Sequence, residues 1–240
     1  MPVQGLILKI LKNMLKRIFY KDSNIPFLWH YMPELDSVTG NPIFVDAQTQ
    51  SMGHEIESMG LGGEKLVLEI GSGKGRFLCE YAQMFPEACI LGAEWDNYCA
   101  SFTAKKLAKL GIKNAAVMRG DLFYFLRDLV PSRCIDEVHM YFPDPWPKRR
   151  QQKNRLILRE GFLQELRRTL KPGKRLFYWA TDHKEYNALA LQAFKDFPYA
   201  KITAENTAAP THGIETGFEK KYKAEGREVY RSVIELMGSN

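Results

Sequence analysis

The chain has 240 residues, of which 45% are hydrophobic and 26% charged, and its formal net charge is +6. This length and composition are typical of a soluble globular protein with one α/β domain and a modest extension. The four cysteines lack CxxC spacing, which argues against a zinc or disulfide framework and predicts free thiols in a reducing compartment. We therefore expect a cytoplasmic protein without a bound metal.

The first predicted element is a basic amphipathic helix over residues 6–19 (LILKILKNMLKRIF), where apolar residues recur at helical spacing. Its lysines interrupt the apolar run, so we expect it neither to span a bilayer nor to act as a signal peptide. It could dock on the protein body, contact RNA as an arm, or lie on a membrane surface. Residues 22–45 contain several prolines and favour irregular structure, and residues 46–59 could form a short helix. We assign residues 1–60 to this extension and 61–240 to one main domain.

From residue 65 onward, predicted strands alternate with predicted helices. This alternation indicates an α/β fold with a doubly wound, mostly parallel sheet. Ligands of such sheets bind beyond the carboxyl ends of the strands. The predicted strands are 65–70, 88–94, 115–121, 134–142, 175–181 and 227–236, and the main predicted helices are 76–84, one carrying AKKLAKLG, 122–129, 155–170 and 184–196.

A glycine-rich turn, GSGKG at 71–75, follows the first of these strands. Such a turn lets a ligand approach the backbone closely, although dinucleotide sites and plain tight turns share the pattern. Acids end three successive strands: Glu69, Glu94 and Asp121. A carboxylate at position 69 would repel a pyrophosphate, whereas it suits the cationic sulfonium and ammonium groups of S-adenosylmethionine. Glu94 could accept hydrogen bonds from the ribose hydroxyls, and Asp121 could accept one from the adenine amino group. Each acid alone could also be a helix cap.

The most specific segment is YFPDPWPKRRQQKNR at 141–155. Prolines on both sides of Asp144 stiffen this loop, and Trp146 offers a surface on which a base could stack. Six basic residues and no acid follow between positions 146 and 159. Because positive charge at a helix N-terminus opposes the helix dipole, we interpret this run as an RNA-binding segment and not merely a solvated helix start. The basic residues are Lys148, Arg149, Arg150, Lys153, Arg155 and Arg159.

FPDPWPK followed by a basic stretch resembles the signature of the bacterial tRNA (guanine-N7-)-methyltransferases. EIGSGKG, GAEWD, the GD at 120–121, the ATD at 180–182 and the TGFE at 216–219 occur in that family's order. The resemblance covers about residues 65–235. It implies a seven-stranded Rossmann-like class I methyltransferase sheet with an N-terminal helical extension. It also implies transfer of a methyl group from S-adenosylmethionine to N7 of a guanine in the tRNA variable loop, by a monomer or a homodimer.

The resemblance further implies roles for residues at matching positions. Asp144 would be the catalytic acid, stabilising the positive charge that methylation creates on the base. The cofactor-binding candidates are Glu69, Gly71, Gly73, Glu94, Trp95, Asp121 and Leu122. The substrate-binding candidates are Lys148, Arg150, Asp182, Thr216, Gly217, Phe218 and Glu219, with Asp182 and Glu219 accepting from the donors of the guanine edge.

The chain departs from the family pattern at Gln151, Gln152, Asn154 and Gly217, which puts the choice and tightness of RNA binding in question. Two kinds of alternative stay open at this stage. One is a class I methyltransferase acting on another RNA or on a small molecule, because a fold does not determine a substrate. The other is a catalytically silent RNA-binding relative.

Overall fold

The computed structural model describes residues 19–21, 23–31, 65–146, 148–173, 175–207 and 209–237. The helix predicted for residues 6–19 therefore lies outside the described residues except for Phe19, which belongs to a strand. The short helix predicted for 46–59 lies wholly outside them. The division at residue 60 stays a prediction.

Nine strands and six α-helices are present in the described residues. The strands are β1 (Phe19–Lys21), β2 (Leu28–Tyr31), β3 (Lys65–Ile70), β4 (Ala88–Glu94), β5 (Ala115–Gly120), β6 (Glu137–Tyr141), β7 (Leu176–Thr181), β8 (Ala200–Glu205) and β9 (Tyr230–Leu236). The helices are α1 (Arg76–Met84), α2 (Asn97–Leu110), α3 (Leu122–Leu129), α4 (Phe162–Thr169), α5 (Lys184–Asp196) and α6 (Gly217–Ala224).

The strands form one sheet in the order β1-β2-β5-β4-β3-β6-β7-β9-β8. Strands β2, β5, β4, β3, β6 and β7 run parallel to one another, while β1 and β9 are antiparallel to their neighbours. The strand order reverses between β3 and β6, so the carboxyl ends of these two neighbouring strands open a crevice at this switch point. The expected doubly wound, mostly parallel sheet is confirmed.

Both faces of the sheet are covered by apolar side chains, as a parallel sheet requires. Along β3, Leu66, Leu68 and Ile70 belong to one core cluster, which also contains residues of α3, α4 and α5. Val67 points to the opposite face and packs with residues of α1 and α2. Because side chains alternate along a strand, Glu69 lies on the same face as Val67, toward α1.

Two expectations about the fold are corrected. The sheet has nine described strands and not seven, because β1 and β2 extend it beside β5. The long helix predicted for 155–170 is wrong: two short 3-10 turns at Arg149–Asn154 and Leu156–Leu158 precede α4. The break comes at Gly161, whose φ of 80° is left-handed and incompatible with a continuous right-handed helix. The sequence analysis did not predict β1, β2, β8 or α6.

Candidate active site

The carboxyl ends of the central strands surround a cavity of about 360 Å³, which we call the main cavity. Six of the predicted catalytic and cofactor-binding residues contribute to its wall: Gly71, Glu94, Trp95, Asp121, Leu122 and Asp144. The acids come together because the parallel strands that carry them end at the same edge of the sheet. Trp95 is largely exposed at 72%, whereas Leu122 is buried.

The glycine-rich loop is held in place by hydrogen bonds to β4 and α2. Glu94 accepts from the backbone N–H of Gly73 at 2.7 Å and from that of Asp96 at 2.8 Å. The Thr103 hydroxyl donates to the Gly73 carbonyl at 2.8 Å. Gly75 has a left-handed φ of 64°, and a Cβ placed there would lie 2.2 Å from the Thr103 Cγ2 atom. The loop therefore depends on glycine at position 75 for both its conformation and its packing.

Glu69 lies behind this loop, buried with 4% of its surface exposed. Its Oε2 atom has no hydrogen-bond partner among the described residues. Burial, together with the negative charge of Glu94, raises the pKa of the Glu69 carboxyl well above its ordinary value. A buried carboxylate oxygen without a hydrogen-bond partner is energetically unfavourable unless a ligand supplies the missing donor. Glu69 is therefore suited to receive a cationic or hydrogen-bond-donating part of a ligand.

A second cavity, of about 290 Å³, lies on the Glu69 side of the loop. Its wall contains Glu69, Gly71 and Gly73 together with Thr216, Gly217 and Phe218 from the start of α6. Thr216 caps α6 by accepting from the backbone N–H of Glu219 at 3.0 Å. The structure thus brings the predicted substrate segment next to the glycine loop, which residue spacing alone could not show.

Asp121 has two roles in the wall of the main cavity. Its Oδ1 atom caps α3 by accepting from the backbone N–H of Phe123 at 2.9 Å. Nη1 of Arg159 lies 2.9 Å from Oδ2 and 3.1 Å from Oδ1 of the same carboxylate. The Arg159 guanidinium also stacks 4.2 Å from the Phe123 ring centroid and 4.4 Å from that of Tyr124. Arg159 therefore fixes the orientation of Asp121, a role that the sequence did not indicate.

Asp144 sits in a strained loop that also lines the main cavity. Its side chain is exposed and faces the same cavity as Gly71. On either side of it, Phe142 and Trp146 have positive φ values of 50° and 42°, which bulky residues adopt only when their surroundings enforce it. Asn154, one of the departures from the family pattern, lines the cavity as well. The loop thus presents the carboxylate of Asp144 and the indole of Trp146 to the main cavity, which Gly71 also lines.

The four residues of the basic run after this loop whose side chains the structure describes fall into two groups. Lys148 and Arg150 are exposed outside both cavities, as a phosphate-binding role requires. Arg155 is 2% exposed, donates to the Pro145 carbonyl at 2.7 Å and stacks on Tyr186. Arg155 and Arg159 therefore make contacts within the protein, and the interpretation of the whole run as an RNA-binding segment is corrected for these two residues. The argument from a helix dipole also fails, because the described residues 148–158 form 3-10 turns and no α-helix begins among them.

The two acids expected at the guanine edge are both paired with arginines. Asp182 accepts from Arg227 at 2.9 Å and lies outside the two cavities. Glu219 is 2% exposed, is paired with buried Arg231 of β9, and lies 3.0 Å from the Lys223 ammonium. This buried ion pair fixes α6 against the sheet. It thereby also positions Thr216 and Phe218, at the start of α6, in the wall of the second cavity.

A polar cluster that the sequence analysis did not identify lies on β6 and in the turn before α6. Oε1 of Glu137 accepts from Tyr81 at 2.7 Å, and Nε2 atoms of His139 and His212 lie 3.1 and 3.3 Å away. Burial alone would raise the pKa of the Glu137 carboxyl, but hydrogen bonds from these three residues hold it well below its ordinary value. The Lys65 ammonium lies 3.0 Å from Oε2. The cluster thus ties the turn before α6 to the central sheet.

Comparison with known proteins identifies the family. A sequence-family profile described as "Putative methyltransferase" matches residues 63–232. A tRNA (guanine-N(7)-)-methyltransferase of Nitrosospira multiformis is 35% identical over 164 residues, covering 68% of this chain and 71% of that protein. The chain belongs to the tRNA (guanine-N7-)-methyltransferase family. The family resemblance inferred from the DPWPK segment is therefore confirmed.

Other members of the tRNA (guanine-N7-)-methyltransferase family differ in length from this chain. The Thermus thermophilus enzyme is 35% identical over 169 residues, covering 70% of this chain and 53% of the relative. The Thermotoga maritima enzyme is 32% identical over 168 residues, covering 69% and 52% respectively. The chain spans about half the length of these two relatives.

Solved structures similar to this family member support the fold. The aminoglycoside resistance methyltransferase NpmB1 has a TM-score of 0.56 at 18% identity, covering 77% of this chain and 93% of that one. The 16S rRNA methyltransferase KamB has a TM-score of 0.55 at 15% identity, and the match covers 81% of this chain and 95% of that one. At such identities the likeness shows the fold alone. Among the described helices, none is both long and apolar enough to cross a membrane.

Proposed function

We propose that the protein transfers a methyl group from S-adenosylmethionine to N7 of a guanine in tRNA, forming 7-methylguanosine. The observation that carries the proposal is the meeting of Glu94, Asp121 and Asp144 on the wall of one cavity beside the glycine loop. Three carboxylates there suit a donor without phosphates, and the exposed cations beside Asp144 suit an RNA substrate.

The residues present fit S-adenosylmethionine. The partnerless Oε2 of Glu69 matches an ammonium or hydroxyl donor. Glu94 keeps free lone pairs after its two backbone hydrogen bonds and can accept ribose hydroxyls, while Asp121 can accept an adenine amino group. Gly71, Gly73, Trp95 and Leu122 complete the proposed binding wall. When bound, the donor supplies a methyl group attached to a positively charged sulfur.

Guanine N7 has a lone pair and no proton, so no residue of the chain has to act as a base. The chain's main task is to hold the guanine in line with the methyl group, and positioning of this kind can supply a large part of a rate enhancement. Asp144 holds the base edge and stabilises the positive charge that develops on it. Lys148 and Arg150 contact tRNA phosphates, and Thr216, Gly217 and Phe218 line the guanine side. Asp182 and Glu219, each paired with an arginine, support that side of the site from outside the cavities.

The proposal also includes the position of the target guanine and the cellular location of the protein. We propose the variable-loop guanine as the target, because the family inferred from the DPWPK segment modifies that position. We also propose a cytoplasmic location, in keeping with four free cysteines, two of which are buried.

The test uses wild-type protein, Asp144→Asn and Asp144→Ala with unmodified tRNA and labelled S-adenosylmethionine, followed by digestion and detection of 7-methylguanosine. Turnover of both variants should fall by about 100-fold or more, because removal of one electrostatic stabiliser has effects of this size. Their affinity for S-adenosylmethionine should change little.

Asp196→Asn, at the end of α5 and hydrogen-bonded to Gln192, is the matched control and should retain full activity. Near-normal turnover of the Asp144 variants would reject the catalytic role of Asp144. Absence of 7-methylguanosine with the wild-type protein would reject the function.

A further inference from the structure

The outer face of α2 carries an exposed stripe that the proposed mechanism does not use. Tyr98 and Phe102 are 64% and 42% exposed, and they are followed at helical spacing by exposed Lys105 and Lys109. We call these four residues the α2 stripe. The opposite face of the helix is apolar and buried, with Ala100, Thr103, Ala104 and Leu107 facing the core.

The aromatic end of the α2 stripe is linked to a cation of the glycine loop. Nζ of Lys74 lies 5.6 Å from the ring centroid of Tyr98 and 5.9 Å from that of Phe102. Lys74 also lines the second cavity, so the stripe begins at the mouth of the candidate active site. Residues 97–113 contain four lysines and no acid. The α2 stripe is therefore aromatic near the site and cationic farther away.

Packing within the protein does not account for Tyr98 and Phe102, because large aromatic side chains on a helix surface leave apolar area in contact with water. Aromatic rings beside ammonium groups are the combination with which proteins bind single-stranded nucleic acid: bases stack on the rings, and phosphates pair with the cations. From Tyr98 to Lys109 the stripe is about 16 Å long at 1.5 Å per residue, which is long enough for a few nucleotides.

We propose that the α2 stripe binds the unpaired RNA segment that flanks the target guanine. Bases next to the guanine stack on Tyr98 and Phe102, and the backbone leaving the site runs past Lys105 and Lys109. Sequence-specific recognition of RNA uses splayed loops of this kind. The inference rests on the proposed function for the identity of the RNA as tRNA, and it adds a binding surface to the one proposed for Lys148 and Arg150.

The test measures binding of unmodified tRNA and of a 20-nucleotide oligouridine to wild-type protein, Tyr98→Ala, Phe102→Ala and the double variant. Each single substitution should weaken tRNA binding about tenfold, because a base–aromatic stack has roughly this effect. Thermal stability and affinity for S-adenosylmethionine should stay at wild-type values. Tyr199→Ala is the control, since Tyr199 is also exposed, at 44%, but lies just before edge strand β8.

The cationic end is tested by the salt dependence of binding. Lys105→Gln combined with Lys109→Gln should reduce the slope of log affinity against log salt by about 0.7 for each phosphate that the variant no longer neutralises. Lys201→Gln, an exposed lysine on β8, should leave the slope unchanged.

The outcomes of these experiments test the α2 stripe and the proposed methyltransferase function independently. If the wild-type protein forms 7-methylguanosine while the Tyr98 and Phe102 variants bind tRNA normally, the stripe is rejected and the function stands. If the wild-type protein methylates no tRNA but binds oligouridine, and the double variant does not, the stripe stands and the function fails. Absence of RNA binding by the wild-type protein overturns the stripe. The proposal is also overturned if the wild-type protein is a dimer and the double variant is a monomer, because this face of α2 would then join two copies of the chain.

Discussion

Replacing Glu219 with glutamine should destabilise the protein, because it leaves a buried arginine without its counter-charge. In the wild-type protein the Glu219 and Arg231 side chains are 3% and 8% exposed and form an ion pair. Breaking such a buried pair from one side is expected to reduce the free energy of unfolding by about 3–5 kcal/mol. Arg231 keeps a hydrogen bond to the Thr207 carbonyl at 3.3 Å, so the lower end of this range, about 3 kcal/mol, is expected.

The assay is urea unfolding followed by circular dichroism. With an m-value of about 2 kcal/mol per molar urea, the Glu219→Gln midpoint should fall by about 1.5 M. The double variant Glu219→Leu with Arg231→Met removes both charges and should recover most of the loss, because apolar replacements of buried ion pairs are often neutral. Glu225→Gln, at the residue that directly follows the same helix, is the control. Glu225 is exposed and its partners are surface cations, so the change should be below about 1 kcal/mol.

Two results would contradict this reasoning. One is a Glu219→Gln variant as stable as wild type, which would mean that the pair does not hold α6. The other is a double variant as unstable as the single one, which would mean that the uncompensated charge is not the cause. A stable Glu219→Gln variant with a raised KM for tRNA would instead support direct contact between Glu219 and the guanine.

Three further predictions concern the cofactor loop and the basic segment. Because Glu69 has a raised pKa in the free protein, a bound cation should favour its ionised form, so S-adenosylmethionine binding should release a proton and strengthen as the pH rises. Calorimetry in buffers of different ionisation enthalpy measures this release. Gly75→Ala should reduce the free energy of unfolding by about 2–4 kcal/mol, because the new methyl group meets Thr103 in a left-handed conformation. Lys148→Gln and Arg150→Gln should each reduce the salt slope of tRNA binding by about 0.7–0.9.

Each of these predictions has a control that separates its cause from a general disturbance. Glu69→Gln should abolish the pH dependence, and proton release by that variant would implicate another group. Gly111 is also left-handed, with φ 67°, but has open space around its Cβ direction. Gly111→Ala should therefore reduce stability by only about 1–2 kcal/mol, and an equal loss at both glycines would disprove the packing argument. A salt slope unchanged in both Lys148 and Arg150 variants would remove them from the phosphate contacts.

Sequence alone determined the central fold and its family. Strand β4 and helix α5 lie within the predicted ranges, because their apolar patterns are local and strong. The convergence of Glu94, Asp121 and Asp144 also followed from the sequence, since the carboxyl ends of parallel strands meet at one edge. The family resemblance required only the DPWPK segment and the order of the shorter motifs.

The tertiary structure decided which charges face the solvent and which hold the chain together. Arg159 pairs with Asp121, 38 residues earlier in the chain, and Arg155 turns inward onto Tyr186, so a count of basic residues overstates the RNA-binding surface. The pairing of Glu219 with Arg231 likewise joins α6 to β9. Periodicity and spacing describe a residue's neighbours along the chain. The electrostatic partner of a charge is a neighbour in space, and only the folded chain specifies it.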